Sequence, residues 1–242
     1  MTQKRSKRLM ARAKKILQMK NTLGAGLLLA CTALTHPLAE AFSQFGSQTA
    51  TSSLKSLSHQ PNGPDPKVLQ LALRAYHWAA NHKHIQKQLL TIVDFSRASI
   101  EKRLWVIDLA KNRILFSGLV AHGRNSGGLK ATHFSNSPES RESSLGTFVT
   151  EDTYVGKHGY SLRVAGLEAG LNNNAKSRAI VVHPAKYVGD NFISQKGMLG
   201  RSWGCFALDP EYASDVIHMI KGGSVIFAYA PGMENDAHYG TA

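Results

Sequence analysis

The chain has 242 residues, 43% of them hydrophobic and 19% charged, which excludes a disordered chain and suits one domain of about 150 to 180 residues with appendages. Its formal net charge of +13 resembles that of a nucleic-acid binder, but eight of the 29 Lys and Arg lie in the first 20 residues. From Phe42 onward there are 21 basic and 15 acidic residues, a mildly basic balance that sets nucleic-acid binding aside and is compatible with an anionic polymer or a membrane face.

The basic run Lys4 to Lys20 leads into the uncharged stretch Leu23 to Leu34 and then Pro37-Leu38-Ala39-Glu40-Ala41. A positive region, a short apolar region and an Ala-x-Ala site read as a signal peptide over residues 1–41, so the protein is expected to be exported, to the periplasm or cell envelope. The apolar stretch is short for a membrane span. A retained anchor remains the alternative, as does lipidation at Cys31, where Leu28-Leu29-Ala30-Cys31 is similar to a bacterial lipobox. Membrane contact is expected only through the signal or such a lipid anchor.

Residues 42–65, rich in Ser, Gln, Thr and Gly, read as a flexible linker. Asp65-Pro66 has the chemistry of a helix start, and Val68, Leu69, Leu71, Leu73, Tyr76, Trp78 and Ala79 follow a helical stripe to about Asn81. This predicts a helical lead-in within residues 66–88. From Leu89 the period changes. Seven short runs rich in β-branched and aromatic residues follow: 89–95, 103–109, 113–121, 145–155, 160–167, 178–183 and 224–229. They predict a mainly β domain over residues 89–230, a sandwich or small barrel with one or two peripheral helices. A helix is expected from Asp209-Pro210-Glu211 to about Lys221, ended by Gly222-Gly223. Residues 231–242 are expected to form a C-terminal tail.

If cleavage follows Ala41, Cys205 is the one cysteine left. A lone thiol is either buried and inert or reactive, and a reactive one needs a base and an oxyanion site. Gly204 lets the chain turn sharply before Cys205, so that the amides of Trp203, Gly204 and Cys205 can point at a developing oxyanion. His183, ending the run Ala179 to Val182, is the expected base. His122, His133 and His158 are further candidates. No His pair has metal-ligand spacing near a third ligand, so no metal site and no cofactor is expected, and a metal hydrolase is the weaker reading.

The segment His183 to Leu208 resembles the signature of the YkuD-type L,D-transpeptidases. The ordered series Ala121 to Gly127, Phe134-Ser135-Asn136 with Ser143 to Gly146, His158 to Arg163, and Gly200 to Cys205 is more closely similar to the divergent branch called the murein L,D-transpeptidase catalytic domain family. Trp203 stands where the commoner pattern has a His, Ala207 where it has Asn or Arg, and Pro184 where it has Gly. The resemblance implies acyl transfer on peptidoglycan stem peptides through a Cys205 thioester, with His183 as base. The acceptor would be an amine, or water in an L,D-carboxypeptidase. A peptidoglycan-binding module with a dead site is the alternative outside catalysis. Arg124, Arg163 and Arg201 suit the carboxylates of such a substrate. His122, Asn125, Ser135, Asn136 and Ser202 are the other expected substrate contacts.

Overall fold

The computed structural model describes residues 57, 58, 60, 62–82 and 85–235. The expected signal peptide, the lipidation alternative at Cys31, most of the linker and the end of the tail lie outside them. Helix α1 runs Pro66–His82, and Asp65 opens it by accepting the Lys67 and Val68 amides at 2.8 and 3.4 Å. Its buried face, Val68, Leu69, Leu71, Ala72, Ala75 and Ala79, packs on three strands of the sheet.

Eight strands follow: β1 Leu89–Asp94, β2 Leu104–Asp108, β3 Arg113–Gly118, β4 Gly146–Gly156, β5 Gly159–Gly166, β6 Val181–Pro184, β7 Phe206–Leu208 and β8 Val225–Tyr229. All belong to one sheet in the order β3-β2-β1-β8-β4-β5-β6-β7, with β1–β8 and β6–β7 parallel and the other pairs antiparallel. Just after β3, Ala121 bridges to Ala207 in β7. The chain leaving one edge thus meets the strand at the other edge, and the sheet curls toward closure. The mainly β class read from the sequence is the observed one, in this single curled sheet.

Four elements differ from the sequence reading. The run at 178–183 is extended only from Val181, because Ala179 adopts the left-handed region at φ 53° and turns the chain first. An additional strand, β7, follows Cys205 directly. The loop between His183 and Cys205 contains a further helix, α2, at Asp190–Lys196, none of whose residues is buried. Helix α3 is shorter than expected, Ala213–Ile220, and buries Ala213, Val216, Ile217 and Ile220.

The main core joins α1, α3 and the sheet through large buried side chains such as Trp105, Phe95, Phe148 and Phe227. A smaller apolar cluster of Leu119, Ala121, Ala185, Val188, Leu199 and Ala207 lies behind β7. It braces the turn that carries Cys205 against the chain segment after β3.

Candidate active site

The β6–β7 pairing sets Val182 opposite Phe206 and His183 opposite Ala207. Cys205 lies two residues before Ala207, so the pleat directs Cys205 and His183 to the same face of adjacent chain segments. Both line one cleft of about 370 Å³, together with Tyr154, Lys157, His158, Arg178, Tyr187, Arg201, Ser202 and Trp203.

The turn before β7 is held by side-chain and backbone bonds. Ser202 Oγ accepts the Gly204 amide at 3.1 Å and donates to the Cys205 carbonyl at 2.7 Å. Gly204 has φ 116°, and a Cβ there would fall 2.6 Å from the Glu142 carbonyl and 2.9 Å from Ile180, so glycine is required by both conformation and space. The Ser202 amide donates to the His122 carbonyl, and the Arg124 amide to the Ser202 carbonyl. The thiol-bearing turn is therefore stitched to the segment after β3.

Cys205 is half-buried, its Sγ 3.6 Å from the carbonyl of Ala179, the residue with the left-handed φ. Burial pushes the thiol above its ordinary pKa. The Val181 amide at the sulfur and the charges of Arg178 and Lys157 oppose that shift without reversing it. His183 is buried, and its Nδ1 lies 2.9 Å from the Pro184 carbonyl. A carbonyl only accepts, so Nδ1 carries the proton and Nε2 is left as the acceptor. Burial holds this imidazole below the ordinary value of 6.5, and the bond to Pro184 only partly offsets it. Both shifts favour a thiol and a neutral imidazole over an ion pair.

Arg178 ties the cleft wall together. Nη1 donates to the Ser135 carbonyl at 2.6 Å and Ser144 Oγ at 2.5 Å, and Nη2 to Ser140 Oγ at 3.0 Å and the Glu142 carbonyl at 2.6 Å. The same guanidinium is the first charge opposing the upward shift of the Cys205 thiol. Arg178→Met is expected to cost about 2–3 kcal/mol in unfolding free energy and to move the thiol pKa further up, read by denaturant melts and by alkylation rate against pH.

A model of the L,D-transpeptidase catalytic domain matches residues 60–229. The chain belongs to the L,D-transpeptidase catalytic domain family. No curated protein matches it. Among solved structures it is similar to an L,D-transpeptidase from Mycobacterium smegmatis at 16% identity, covering 59% of each chain with a TM-score of 0.36. L,D-transpeptidase 1 of Mycobacterium tuberculosis matches at 13% identity over 59% of this chain and 62% of that one, TM-score 0.34. An L,D-transpeptidase from Stackebrandtia nassauensis matches at 16% over 75% and 77%, TM-score 0.36. The chain spans about three fifths of the length of the first of these.

Within this L,D-transpeptidase domain, the residues expected at the site from sequence are divided by the fold. Cys205, His183, Trp203, Arg201 and Ser202 share the cleft. Arg201 also donates to the Gly127 carbonyl at 3.1 Å, and Trp203 is 64% exposed with Arg141 stacked 4.6 Å from its ring. Asn125 lines a neighbouring cavity that shares Arg178 and Trp203 with the first, and Arg163 stacks on Tyr154 at the rim of another. Arg124 is exposed and contributes its amide.

His122, Ser135 and Asn136 do not line the cleft. His122 is buried, with Arg103 Nη2 2.8 Å from its Nδ1. Because guanidinium only donates, Nδ1 is the acceptor here, and burial and Arg103 hold the ring neutral with a pKa down to about 4. The Ser135 carbonyl receives Arg178, and Asn136 binds Asn173 and Asn174, joining two loops. The Gly204 amide, expected to face the oxyanion, is instead bonded to Ser202 Oγ.

Sequence reasoning assigned no role to Arg178, Tyr154, Lys157 or Tyr187. Lys157 falls between the runs 145–155 and 160–167, and Tyr187 between His183 and Cys205, so both positions are visible in the sequence. Arg178 was hidden because residues 178–183 read as one strand. Gly200 supports Tyr187 from below, since a Cβ at Gly200 would land on its ring. Among the described residues no group of three or more His, Cys, Asp or Glu is placed to hold a metal ion.

Proposed function

We propose that this protein is an exported cysteine acyl-transferase acting on peptidoglycan stem peptides. The single observation that carries the reading is Cys205 and His183 on one face of one cleft in a domain of this family. Cys205 gives its proton to His183 Nε2 as the sulfur attacks the carbonyl of the third residue of a donor tetrapeptide. The amides of Trp203 and Cys205 are the donors the turn offers to the oxyanion, Gly204 being bonded to Ser202. The C–N bond then breaks, His183 returns the proton to the departing amine of D-Ala, and a thioester remains. An acceptor amine repeats the sequence in reverse and gives a cross-link. Water gives a trimmed stem.

The positive side chains Lys157, Arg178 and Arg201 around the cleft support a substrate rich in carboxylates. Export rests on residues 1–41, and the lipidation alternative on Cys31. Mass analysis of tetrapeptide muropeptides incubated with the protein, with and without an acceptor stem, tests the reading. Cross-linked product identifies a transpeptidase, and trimmed monomer an L,D-carboxypeptidase. Unchanged muropeptides contradict catalysis and favour a peptidoglycan-binding module.

A further inference from the structure

The cleft contains a second imidazole that the proposed chemistry leaves without a role. His158 sits in the turn joining β4 and β5, whose ladder closes at Gly156 opposite Gly159. The antiparallel β5–β6 register, Leu162 opposite Val182, brings this turn beside the end of β6. There the His158 ring stacks on that of His183, with centroids 4.4 Å apart and planes 27° from parallel. His158 itself is exposed and lines the cleft.

We propose that His158 is a positioning residue for His183. It presses on the face of that imidazole, fixes the ring plane and so aims Nε2 at the Cys205 thiol. The proposal rests on the proposed function only for the identity of the base. Its physical ground is that the hydrogen bond between His183 Nδ1 and the Pro184 carbonyl holds the ring by a single edge. An edge bond leaves the plane free to swing, and a flat group against the face removes that freedom. A base that swings by an ångström loses much of its rate advantage.

The stack also couples the two rings electrostatically. Two imidazolium charges at this separation repel, so the pair accepts a first proton more readily than a second. Lys157 from the same turn and Arg178 and Arg201 across the cleft add positive charge. Tyr154 and Tyr187 are the other titratable walls, and Cys205 is the neutral thiol opposite. The shifts agree, since both histidines lie below the ordinary value, from burial first and then from neighbouring positive charge.

Two variants test this, His158→Ala, which removes the stack, and His158→Phe, which keeps a flat ring without a titratable group. The Ala variant is expected to lower kcat for tetrapeptide cleavage roughly tenfold to a hundredfold with KM within about twofold, and the Phe variant to recover kcat to within about threefold of wild type. In side-chain NMR, His183 is expected to titrate at higher pH, in a single step, in both variants. An Ala variant with wild-type kcat and an unmoved His183 titration overturns the proposal, as does a Phe variant no better than Ala.

If the wild-type protein cleaves no stem peptide, the rate of Cys205 alkylation by iodoacetamide at neutral pH takes the place of kcat. The same order, wild type near Phe and both above Ala, then upholds the positioning role although the peptidoglycan reading has failed. An alkylation rate equal in all three overturns it.

Discussion

Cys205→Ser is expected to lower turnover of tetrapeptide stems on the order of 10³-fold or more and to leave the folded state nearly unchanged. The oxygen is close in size, but a serine hydroxyl ionises far less readily than a thiol, and burial already disfavours the charged form of the group at 205. The fold loses little because the thiol makes only weak bonds, one to the Ala179 carbonyl and one from the Val181 amide, which a hydroxyl can keep. The turn is held by Ser202 and by the glycine conformation at 204, neither of which the substitution touches. Unfolding free energy is expected to move by less than about 1 kcal/mol. Release of D-Ala measured beside a denaturant melt separates the two effects. Retained turnover in a folded Ser variant would remove Cys205 from the chemistry.

His183→Gln is expected to cost about 10² to 10⁴-fold in kcat/KM near neutral pH, the range for loss of a positioned general base. The pH dependence distinguishes this from simple damage to the cleft. In the wild-type protein the base form of His183 exists above its folded pKa, which burial places below 6.5. Activity is therefore expected to be full near neutrality and to fall as pH drops through that lowered value, when the imidazole becomes protonated and cannot accept. The thiol pKa lies above its ordinary 9.0, so little free thiolate is present at neutral pH. The Gln variant should thus lose the acidic limb and regain part of its rate as pH rises past that thiol value, because thiolate then forms without a base. A Gln variant with the wild-type acidic limb would assign that limb to another group.

The legible part of this molecule was the part written in local chemistry. Asp65 before Pro66 opened a helix, and six of the seven apolar-rich runs became strands close to their expected limits, because alternation and turn residues act over a few positions. The Gly204-Cys205 turn was readable because a glycine beside a lone cysteine has few other uses. β7 was not readable. Its three residues form a strand only because β6 on one side and Ala121 on the other supply partners from distant parts of the chain. Arg178 failed for a related reason, since its four hydrogen bonds reach a loop more than 30 residues earlier. His122 carried a motif position into the interior, where the buried Arg103 fixes its tautomer. Nothing in the one-dimensional pattern pairs those two residues.

Trapping the acyl-enzyme tests whether Cys205 carries the acyl group. The protein is mixed with a stem tetrapeptide, quenched in acid within seconds, and digested for peptide-level mass spectrometry. The peptide containing Cys205 is expected to gain the mass of the tripeptidyl stem as one D-Ala is released, and the adduct to disappear when an amine acceptor or time is given. Turnover of the tetrapeptide with Cys205 unmodified throughout, or with the adduct on another residue, would contradict that role.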